Sequence, residues 1–283
     1  FSKKGFICNI FLDKKEIGTK ISKSIKHKII YLYRTSSKKY KQEEDAKITM
    51  SLMKKDTLIF IDDYRAKLIW QNQLKKKGFK SIKISDFLNE RSYSDYIINT
   101  KPDFLEEKVI RKFENLNPKS QLMLGPKYCM IESRYKPLKE KKNKFKIAFY
   151  LGGSGDLKFL RNIIISLIKN INLNNFYFYV VVGPFSKNVN CLNDLKIYKE
   201  NIKIIKNNLN LFKVINHINL FVGSAGISIF ETSLYKIPSI FFNLSQNQNI
   251  NREMLGKIGQ YFVLEKKDLR QKTKISKLIY LIY

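Results

Sequence analysis

The sequence predicts a mixed α/β fold in which two domains each contain a doubly wound, parallel sheet. Short apolar runs alternate with amphipathic stretches of helical spacing along most of the chain, which is the pattern of βαβ units. In the second half, two predicted strands run directly into glycine-rich turns followed by helices, as in nucleotide-binding domains. The length of 283 residues fits about two domains at roughly 150 residues each.

The first half is predicted to contain five strands and two helices. The predicted strands are short apolar runs, namely Phe6–Leu12, Lys28–Tyr33, Thr57–Ile61, Ser81–Ile84 and Tyr96–Ile98. Helical spacing of apolar residues covers Gln42–Lys54 and Arg65–Lys77. A polar, lysine-rich stretch, Lys136–Lys144, then interrupts the pattern, and we interpret it as a linker. We therefore predict domains at 1–138 and 139–283.

The second half is predicted to form one regular α/β domain. Its predicted strands are Phe145–Leu151, Phe176–Val182, Ile202–Lys206, Leu220–Val222, Ser239–Phe242 and Tyr261–Leu264. Its predicted helices are Leu157–Lys169, Leu211–His217, one from Gly226 to about Tyr235, Asn247–Gly256, and one that begins near Asp268. Strands and helices alternate throughout, as a doubly wound sheet requires.

The charge balance of the chain is strongly basic, with 54 Lys and Arg against 24 Asp and Glu, a net charge of +30. Such an excess raises the possibility of nucleic-acid binding, because each neutralised phosphate releases counterions. However, only eight of the basic residues are Arg, the residue best suited to bidentate phosphate and base contacts. The sequence is also rich in Lys, Ile and Asn, which share A/T-rich codons, so genome composition is an alternative explanation of the charge. We therefore expect no nucleic-acid partner.

The three cysteines, Cys8, Cys129 and Cys191, lie far apart in the sequence. This spacing argues against a disulfide framework and a zinc site, and fits a reducing cytosol. No apolar run reaches the ~18 residues of a membrane span. The sequence thus predicts a cytoplasmic protein without a transmembrane segment, a cofactor or a metal, and leaves its oligomeric state open.

The strongest local signal is the segment Gly223–Glu231, where a predicted strand passes into a helix. Small residues there let a ligand approach the backbone, and the start of a helix offers N–H groups and a positive dipole end to a diphosphate. Glu231 lies about a turn and a half into the helix, where a carboxylate can accept hydrogen bonds from two ribose hydroxyls. A tight turn with a surface glutamate explains the same residues equally well.

A second glycine-rich turn, Gly152-Gly153-Ser154-Gly155-Asp156, follows the first strand of the same half. It matches neither a Walker A motif nor the full GxGxxG fingerprint. Two such turns at the carboxyl ends of parallel strands are nevertheless expected to converge on one ligand site. Asn247 and Gln248 follow another strand and could reach a sugar or a phosphate, although both residue types are common in this chain.

In the first half, Asp62-Asp63-Tyr64 follows a predicted strand. An acid pair in this position can act as a base or bind hydroxyls, and one Asp can equally cap the next helix. His27 and His217 lie at the edges of elements, which favours structural or solvated roles. The sequence contains no GxSxG, HExxH or metal-ligand motif.

The order of these motifs resembles that of a known enzyme family. The segments that carry the resemblance are Asp62-Asp63-Tyr64, Gly125-Pro126-Lys127-Tyr128, Gly152-Gly153-Ser154, Gly223-Ser224-Ala225-Gly226, Glu231, Ile237-Pro238-Ser239 and Asn247-Gln248. Together they resemble the UDP-sugar hydrolases of pseudaminic acid biosynthesis, which are similar to the GT-B glycosyltransferases. The resemblance covers nearly the whole chain.

The resemblance implies two Rossmann-like domains of the GT-B type that face each other across a cleft, with UDP held mainly by the C-terminal one. It also implies metal-free hydrolysis of UDP-2,4-diacetamido-2,4,6-trideoxy-β-L-altropyranose, by attack of water at the anomeric carbon. The residues that it places at the UDP-sugar are Gly152, Gly153 and Ser154 on the cleft floor, Asn208 at the uracil, Ser224, Ala225, Gly226, Ile227 and Ser228 at the diphosphate, Glu231 at the ribose, and Asn247 and Gln248 beside the pyrophosphate or sugar. It implies catalytic positions at Asp63, Tyr64 and Tyr128.

Two departures from the family qualify these expectations. The family opens with a strand and a glycine-rich loop that ends in a histidine, whereas Phe1–Leu12 resembles the segment after that loop. We therefore expect the N-terminal domain to lack its first βα unit and the chain to hydrolyse UDP-sugars slowly. In addition, Glu132 stands where the family has arginine. A UDP-sugar-dependent GT-B glycosyltransferase and a non-catalytic, basic nucleotide- or RNA-binding module are the alternative interpretations.

Overall fold

The structure is a computed structural model that describes residues 7–12, 27–32, 40–101, 107–131, 144–206, 211–244, 248, 262–265, 268 and 273–283. The chain divides into two compact units, Phe1–Tyr128 and Cys129–Tyr283. The linker predicted at Lys136–Lys144 and its boundary between residues 138 and 139 fall almost entirely outside the described residues, so they stay predictions.

The N-terminal unit contains two parallel sheets among its described residues. Its strands are β1 (Asn9–Leu12), β2 (Lys28–Tyr31), β3 (Leu58–Ile61), β4 (Lys80–Ile84), β5 (Tyr96–Asn99) and β6 (Gln121–Leu124). Its helices are α1 (Gln42–Ser51), α2 (Leu68–Lys76) and α3 (Glu107–Leu116). Strands β1 and β2 form one sheet, and β3 to β6 form the other in sequence order. The carboxyl ends of β3 to β6 therefore share one edge.

Helix α3 and strand β6 were not predicted from the sequence. Helix α3 is rich in charge, and Phe113 is its only fully buried residue, so its apolar spacing is sparse. Strand β6 has four residues and no fully buried one. Helix α2 begins at Leu68, three residues later than predicted, because the preceding residues form a turn around Asp63.

In the described residues of the C-terminal unit, the strands form one six-stranded parallel sheet. Its strands are β7 (Phe145–Tyr150), β8 (Phe176–Val181), β9 (Ile202–Ile205), β10 (Leu220–Ser224), β11 (Ser239–Phe242) and β12 (Phe262–Leu264), and its helices are α4 (Leu157–Ile168), α5 (Phe212–Ile215), α6 (Ser228–Leu234) and α7 (Lys274–Ile282). The strand order is β12-β11-β10-β7-β8-β9. From β7 the chain adds β8 and β9 on one side, and it then returns to add β10, β11 and β12 on the other side. The boundary between β7 and β10 is therefore a topological switch point.

Both faces of this sheet are covered, which explains why its strands read as continuous apolar runs. In β7, Ile147 and Phe149 pack with α4 and α7 on one face. Ala148 and Tyr150 pack with α5 and α6 on the other. The predicted doubly wound domain is thus observed.

Several predicted boundaries in this unit differ from the structure. The last helix begins at Lys274 rather than near Asp268. A 3₁₀ helix at Val189–Tyr198 was not predicted. The helix predicted at Asn247–Gly256 lies outside the described residues except for Gln248.

Candidate functional site

Two glycine-rich turns meet at the carboxyl edge of the C-terminal sheet. The turn after β7 contains Gly152, whose φ of 88° is left-handed and favours glycine. Strands β7 and β10 are hydrogen-bonded neighbours, so the turn after β10 lies beside it. A Cβ added to Gly152 would lie only 3.5 Å from Ser224 Oγ. The structure therefore brings together the two turns that the sequence singled out.

A third glycine at this edge, Gly183, follows β8 and was overlooked in the sequence as a site residue. A Cβ on Gly183 would lie 2.3 Å from the carbonyl oxygen of Gly153 and 2.4 Å from that of Gly152. The N–H of Phe185 donates a hydrogen bond of 2.8 Å to the Gly153 carbonyl. The loop after β8 is therefore pressed against the turn after β7. We call Gly152, Gly153, Gly183 and Ser224–Ile227 the glycine edge.

The turn after β10 presents both a side-chain hydroxyl and exposed backbone. Ser224 is 5% exposed, faces Gly152, and its hydroxyl makes no hydrogen bond within the described part of the chain. Ala225 is fully buried, whereas Gly226 is partly exposed and Ile227 is exposed. The N–H groups of Ile227 and Ser228 have no backbone acceptor among the described residues. The turn thus offers free donors to an anion.

The side chain of Ser228, which was predicted to contact a diphosphate, is occupied by a hydrogen bond within the turn. This side chain is buried, and its hydroxyl donates a 2.8 Å hydrogen bond to the Ser224 carbonyl, so it stabilises the turn. The helix that it opens has only seven residues, so its macrodipole contributes little. The free N–H groups, rather than the dipole, are the anion-binding feature here, and the contact of Ser228 with a diphosphate stays a prediction.

Glu231 has a half-buried side chain beside the end of β7. Burial raises its pKa above the ordinary glutamate value. Burial, and then the negative charge of Glu231, raise the pKa of Tyr150. The same two causes raise the pKa of the Cys129 thiol to about 11. Among the residues that the structure describes, no side chain pairs with Glu231, although the chain has 54 basic residues. A half-buried charge without a protein partner is available to a ligand that donates hydrogen bonds.

The unpaired carboxylate leads to a prediction for the unliganded protein. Because folding raises the pKa of Glu231, its ionisation destabilises the folded state in full above the raised pKa. The effect declines as the pH falls below that pKa and is absent below the ordinary glutamate pKa. We expect Glu231→Gln to raise the melting temperature near neutral pH by up to about 3 °C. Thermal unfolding at a series of pH values measures this, and the gain should vanish below about pH 4. A variant less stable than the native protein at pH 7 would contradict an unpaired Glu231.

The other predicted contacts of this edge are described in part. Gln248 Oε1 accepts a 2.9 Å hydrogen bond from the Leu244 N–H, and its Nε2 is the nearest atom, at 4.0 Å, to a Cβ added to Gly226. Its amide therefore faces the turn after β10. Ser154 is exposed in the turn after β7. Asn208 and Asn247 lie outside the described residues.

In the N-terminal unit, the predicted base Asp63 is already engaged. Two side-chain nitrogens of Arg65 donate hydrogen bonds to its carboxylate, Nε at 2.9 Å and Nη2 at 2.6 Å. The backbone N–H of Arg65 also donates to this carboxylate, at 2.8 Å. An ionised carboxylate held in this way has to break its hydrogen bonds with the guanidinium before it can accept a proton from another group. Its catalytic role stays a prediction that this contact does not favour.

Tyr64 and Asp62 lie in a polar cluster at the carboxyl edge of β3 to β5. The Tyr64 hydroxyl donates a hydrogen bond to Asp86. Partial burial, then the charges of Asp86 and Asp63, raise the pKa of Asp62. Burial lowers the pKa of Lys101, which is 2% exposed, and the charge of Asp86 opposes this. Asp86 and Lys101 were overlooked because the sequence gives no signal for them beyond their positions after strands.

Tyr128 ends a short 3₁₀ helix after β6, and its ring lies 5.1 Å from Lys127 Nζ. His27 and His217 lie just before β2 and β10, at the amino edges of their sheets. In the described ranges, no three His, Cys, Asp or Glu residues form a group that could hold a metal ion. No helix among these residues is long and apolar enough to span a membrane.

The fold and the glycine edge together define the structural class. The two α/β units match the two Rossmann-like domains of the GT-B glycosyltransferase fold. The sequence matches no family model and no curated protein.

Three solved structures illustrate this similarity. MurG of Acinetobacter baumannii aligns with a TM-score of 0.61 at 12% identity, covering 98% of this chain and 83% of that one. The glycosyltransferase of kitacinnamycin aligns with a TM-score of 0.62 at 13% identity, covering 98% and 84%. MnaA of S. aureus in complex with UDP aligns with a TM-score of 0.58 at 12% identity, covering 95% and 78%. At these identities the likeness concerns the fold.

Proposed function

We propose that the glycine edge binds a UDP-sugar. The single observation that supports this most strongly is Glu231, a half-buried carboxylate with no partner among the described side chains and a pKa raised by desolvation. An ionised carboxylate accepts hydrogen bonds only, so its natural ligands are hydroxyl or N–H groups. The adjacent 2′- and 3′-hydroxyls of a ribose supply two such donors to one carboxylate.

The turn after β10 supplies the complementary half of the site. The free N–H groups of Ile227 and Ser228 and the hydroxyl of Ser224 are donors, which suit the oxygens of a diphosphate. Donors and the Glu231 carboxylate lie within one turn and one helix, as a ribose diphosphate requires. The UDP in the structure of MnaA makes uridine the first nucleoside to test.

We propose further that the chain hydrolyses this UDP-sugar to UDP and the free sugar. The resemblance of its motifs to the hydrolases of pseudaminic acid biosynthesis supports water as the acceptor and UDP-2,4-diacetamido-2,4,6-trideoxy-β-L-altropyranose as the substrate. The second candidate is transfer of the sugar to an acceptor, which the similarity to the glycosyltransferase of kitacinnamycin favours. Both reactions use the same UDP site.

Release of UDP in the absence of any acceptor tests this proposal. We expect the chain to release UDP from the diacetamido sugar nucleotide in buffer alone, because water is the acceptor. A transferase spares its donor under these conditions and releases UDP only when an acceptor is added. Retention on RNA with a steep salt dependence, without UDP release in either case, would instead support a nucleic-acid-binding module.

A further inference from the structure

The end of the C-terminal sheet that lies opposite the glycine edge carries a strongly basic surface. At this end α4, α5, α6 and the 3₁₀ helix each finish a few residues before the next strand begins. Among the described residues of these connections and of the start of β7, Glu200 is the one acidic residue. The lysines there are Lys144, Lys146, Lys169, Lys199 and Lys236. We call residues 144–146, 169–175, 199–201, 216–219 and 235–238 the basic edge.

Three of these lysines are exposed and have no ion-pair partner among the described residues. Lys169, Lys199 and Lys236 precede three different strands, β8, β9 and β11, and all three side chains are exposed. None of them takes part in the ion pairs of the part of the chain that the structure describes. Like charges gathered at one end of a domain raise the local positive potential, which attracts an anionic partner.

Exposed apolar side chains lie at the same end of the sheet. Leu281, at 77%, and Ile197, at 75%, are the two most exposed of the large apolar side chains described in this unit. Ile197 lies in the last turn of the 3₁₀ helix, just before β9. The centre of the Tyr283 ring, at the end of α7, lies 5.4 Å from that of Phe145 and 5.2 Å from that of Phe176. These two phenylalanines begin β7 and β8, so the end of α7 lies beside the basic edge.

Two tyrosines extend this surface. Tyr280 and Tyr283 are 46% and 58% exposed. The Tyr280 hydroxyl accepts a 3.2 Å hydrogen bond from the N–H of Asn172, in the connection that leads to β8. A tyrosine has an apolar ring and a polar hydroxyl, which suit it to the boundary between an apolar phase and water. The same end of the unit thus presents positive charge, exposed aliphatic side chains and aromatic rings with polar tips.

We propose that this end of the C-terminal unit docks on the surface of an anionic lipid bilayer. The lysines of the basic edge face the lipid phosphates, and Leu281 and Ile197 enter the boundary between headgroups and acyl chains. The inference goes beyond the proposed function and does not depend on it. The six residues of β7, at about 3.3 Å each, place the glycine edge roughly 20 Å away, so it stays in water when the opposite end is docked.

A bilayer is the partner that uses both features of this surface. Attraction of lysines to anionic lipids and burial of apolar side chains together set the strength of such binding. A second copy of the chain docked through the same surface would bring like charges together, which costs affinity. A nucleic acid would use the lysines, but it gives the exposed Leu281 and Ile197 no apolar environment.

Sedimentation with lipid vesicles tests the inference. We expect the full chain to bind vesicles of phosphatidylcholine that contain about 30% phosphatidylglycerol, and to stay in solution with phosphatidylcholine alone, since the attraction requires anionic lipid. The triple variant Lys169→Gln, Lys199→Gln and Lys236→Gln should bind the anionic vesicles about 100-fold more weakly, because each lysine near such a surface contributes about fivefold.

A second triple variant is the matched control for this charge change. Lys158→Gln, Lys187→Gln and Lys206→Gln also replace three exposed lysines of the C-terminal unit, but these lie at the carboxyl edge of its sheet. This variant should stay within about threefold of the native protein, since its lysines are farther from the lipid than a Debye length of about 8–10 Å. Equal losses in the two triple variants would show that net charge alone drives binding, and would overturn the assignment of the surface.

Substitutions of Leu281 test the apolar part of the surface. Leu281→Ser should weaken binding to anionic vesicles by about tenfold, the lower value for returning a buried leucine to water. Ile227→Ser, which alters a side chain that is 61% exposed at the opposite edge, should have no effect. In Leu281→Trp the fluorescence emission should shift to shorter wavelength when vesicles are added, because the native Trp70 is buried and does not respond. Failure of the native protein to bind anionic vesicles, or retention on RNA without vesicle binding, would overturn the inference. These measurements contain no UDP, so their outcome is separate from that of the proposed function.

Discussion

Replacement of Glu231 by alanine is expected to remove most of the stabilisation that UDP gives to the protein. At a UDP concentration of about 100 times the native Kd, binding stabilises the folded state by about 2.7 kcal/mol. A hydrogen bond to a charged group contributes about 1.5–3 kcal/mol, and Glu231 would accept two from the ribose. A loss of about 100-fold in affinity would reduce the stabilisation to about 0.4 kcal/mol. Thermal unfolding with and without UDP measures both values.

Two controls make this result specific to the ribose. Glu200 is exposed and lies near the amino end of β9, so Glu200→Ala should keep the full UDP effect. The 2′-deoxy form of UDP should bind the native protein more weakly than UDP, but Glu231→Ala should not distinguish the two ligands, as a double-mutant cycle requires. Equal UDP stabilisation of native protein and Glu231→Ala would mean that Glu231 does not contact the nucleotide.

Replacement of Gly183 by alanine is expected to destabilise the C-terminal unit by about 1–3 kcal/mol or more, as overpacking does. The new Cβ would lie 2.3 Å from one backbone carbonyl oxygen and 2.4 Å from another, and neither atom can rotate away. Relief requires the loop after β8 to separate from the turn after β7. That movement would break the 2.8 Å hydrogen bond from Phe185 to Gly153. Urea denaturation monitored by circular dichroism measures the loss.

Gly153→Ala is the matched control for this substitution. It lies in the facing turn, and its new Cβ would meet only the Phe185 ring at 3.6 Å, an ordinary contact. We expect it to change the free energy of unfolding by less than about 0.5 kcal/mol. Equal stability of the two variants would show that the loop after β8 does not press on the glycine edge.

The sequence predicted the C-terminal sheet well because both faces of its strands are buried. Residues such as Ile147, Ala148 and Phe149 are fully buried whichever face they point to, so apolar runs mark the strands. The elements of the N-terminal unit are harder to predict from the sequence, since β6 has no fully buried residue and α3 buries only Phe113 fully. Periodicity cannot reveal elements that bury so little.

In the candidate site, residues marked by a local sequence pattern could be predicted, whereas contacts that depend on tertiary structure could not. Gly152, Ser224 and Glu231 could be singled out because Gly152 follows a strand in a glycine-rich turn, Ser224 ends the next such strand, and Glu231 lies early in the helix after it. The contact of Gly183 with the turn after β7 depends on the pairing of β7 with β8, which no local pattern encodes. The same holds for two side-chain contacts. The sequence does not show that the Ser228 hydroxyl bonds to the Ser224 carbonyl or that Arg65 binds Asp63, since each side chain has several possible partners.

Hydrogen exchange with and without UDP shows whether the nucleotide binds at the glycine edge. Ligand contacts and the closing of local openings slow amide exchange, so peptides that cover the bound residues gain protection. We predict that saturating UDP slows exchange in peptides that cover 150–156, 183–186 and 223–231, and leaves those of the amino edge of the same sheet unchanged. Absence of any change, or protection confined to peptides outside the glycine edge, would contradict the account.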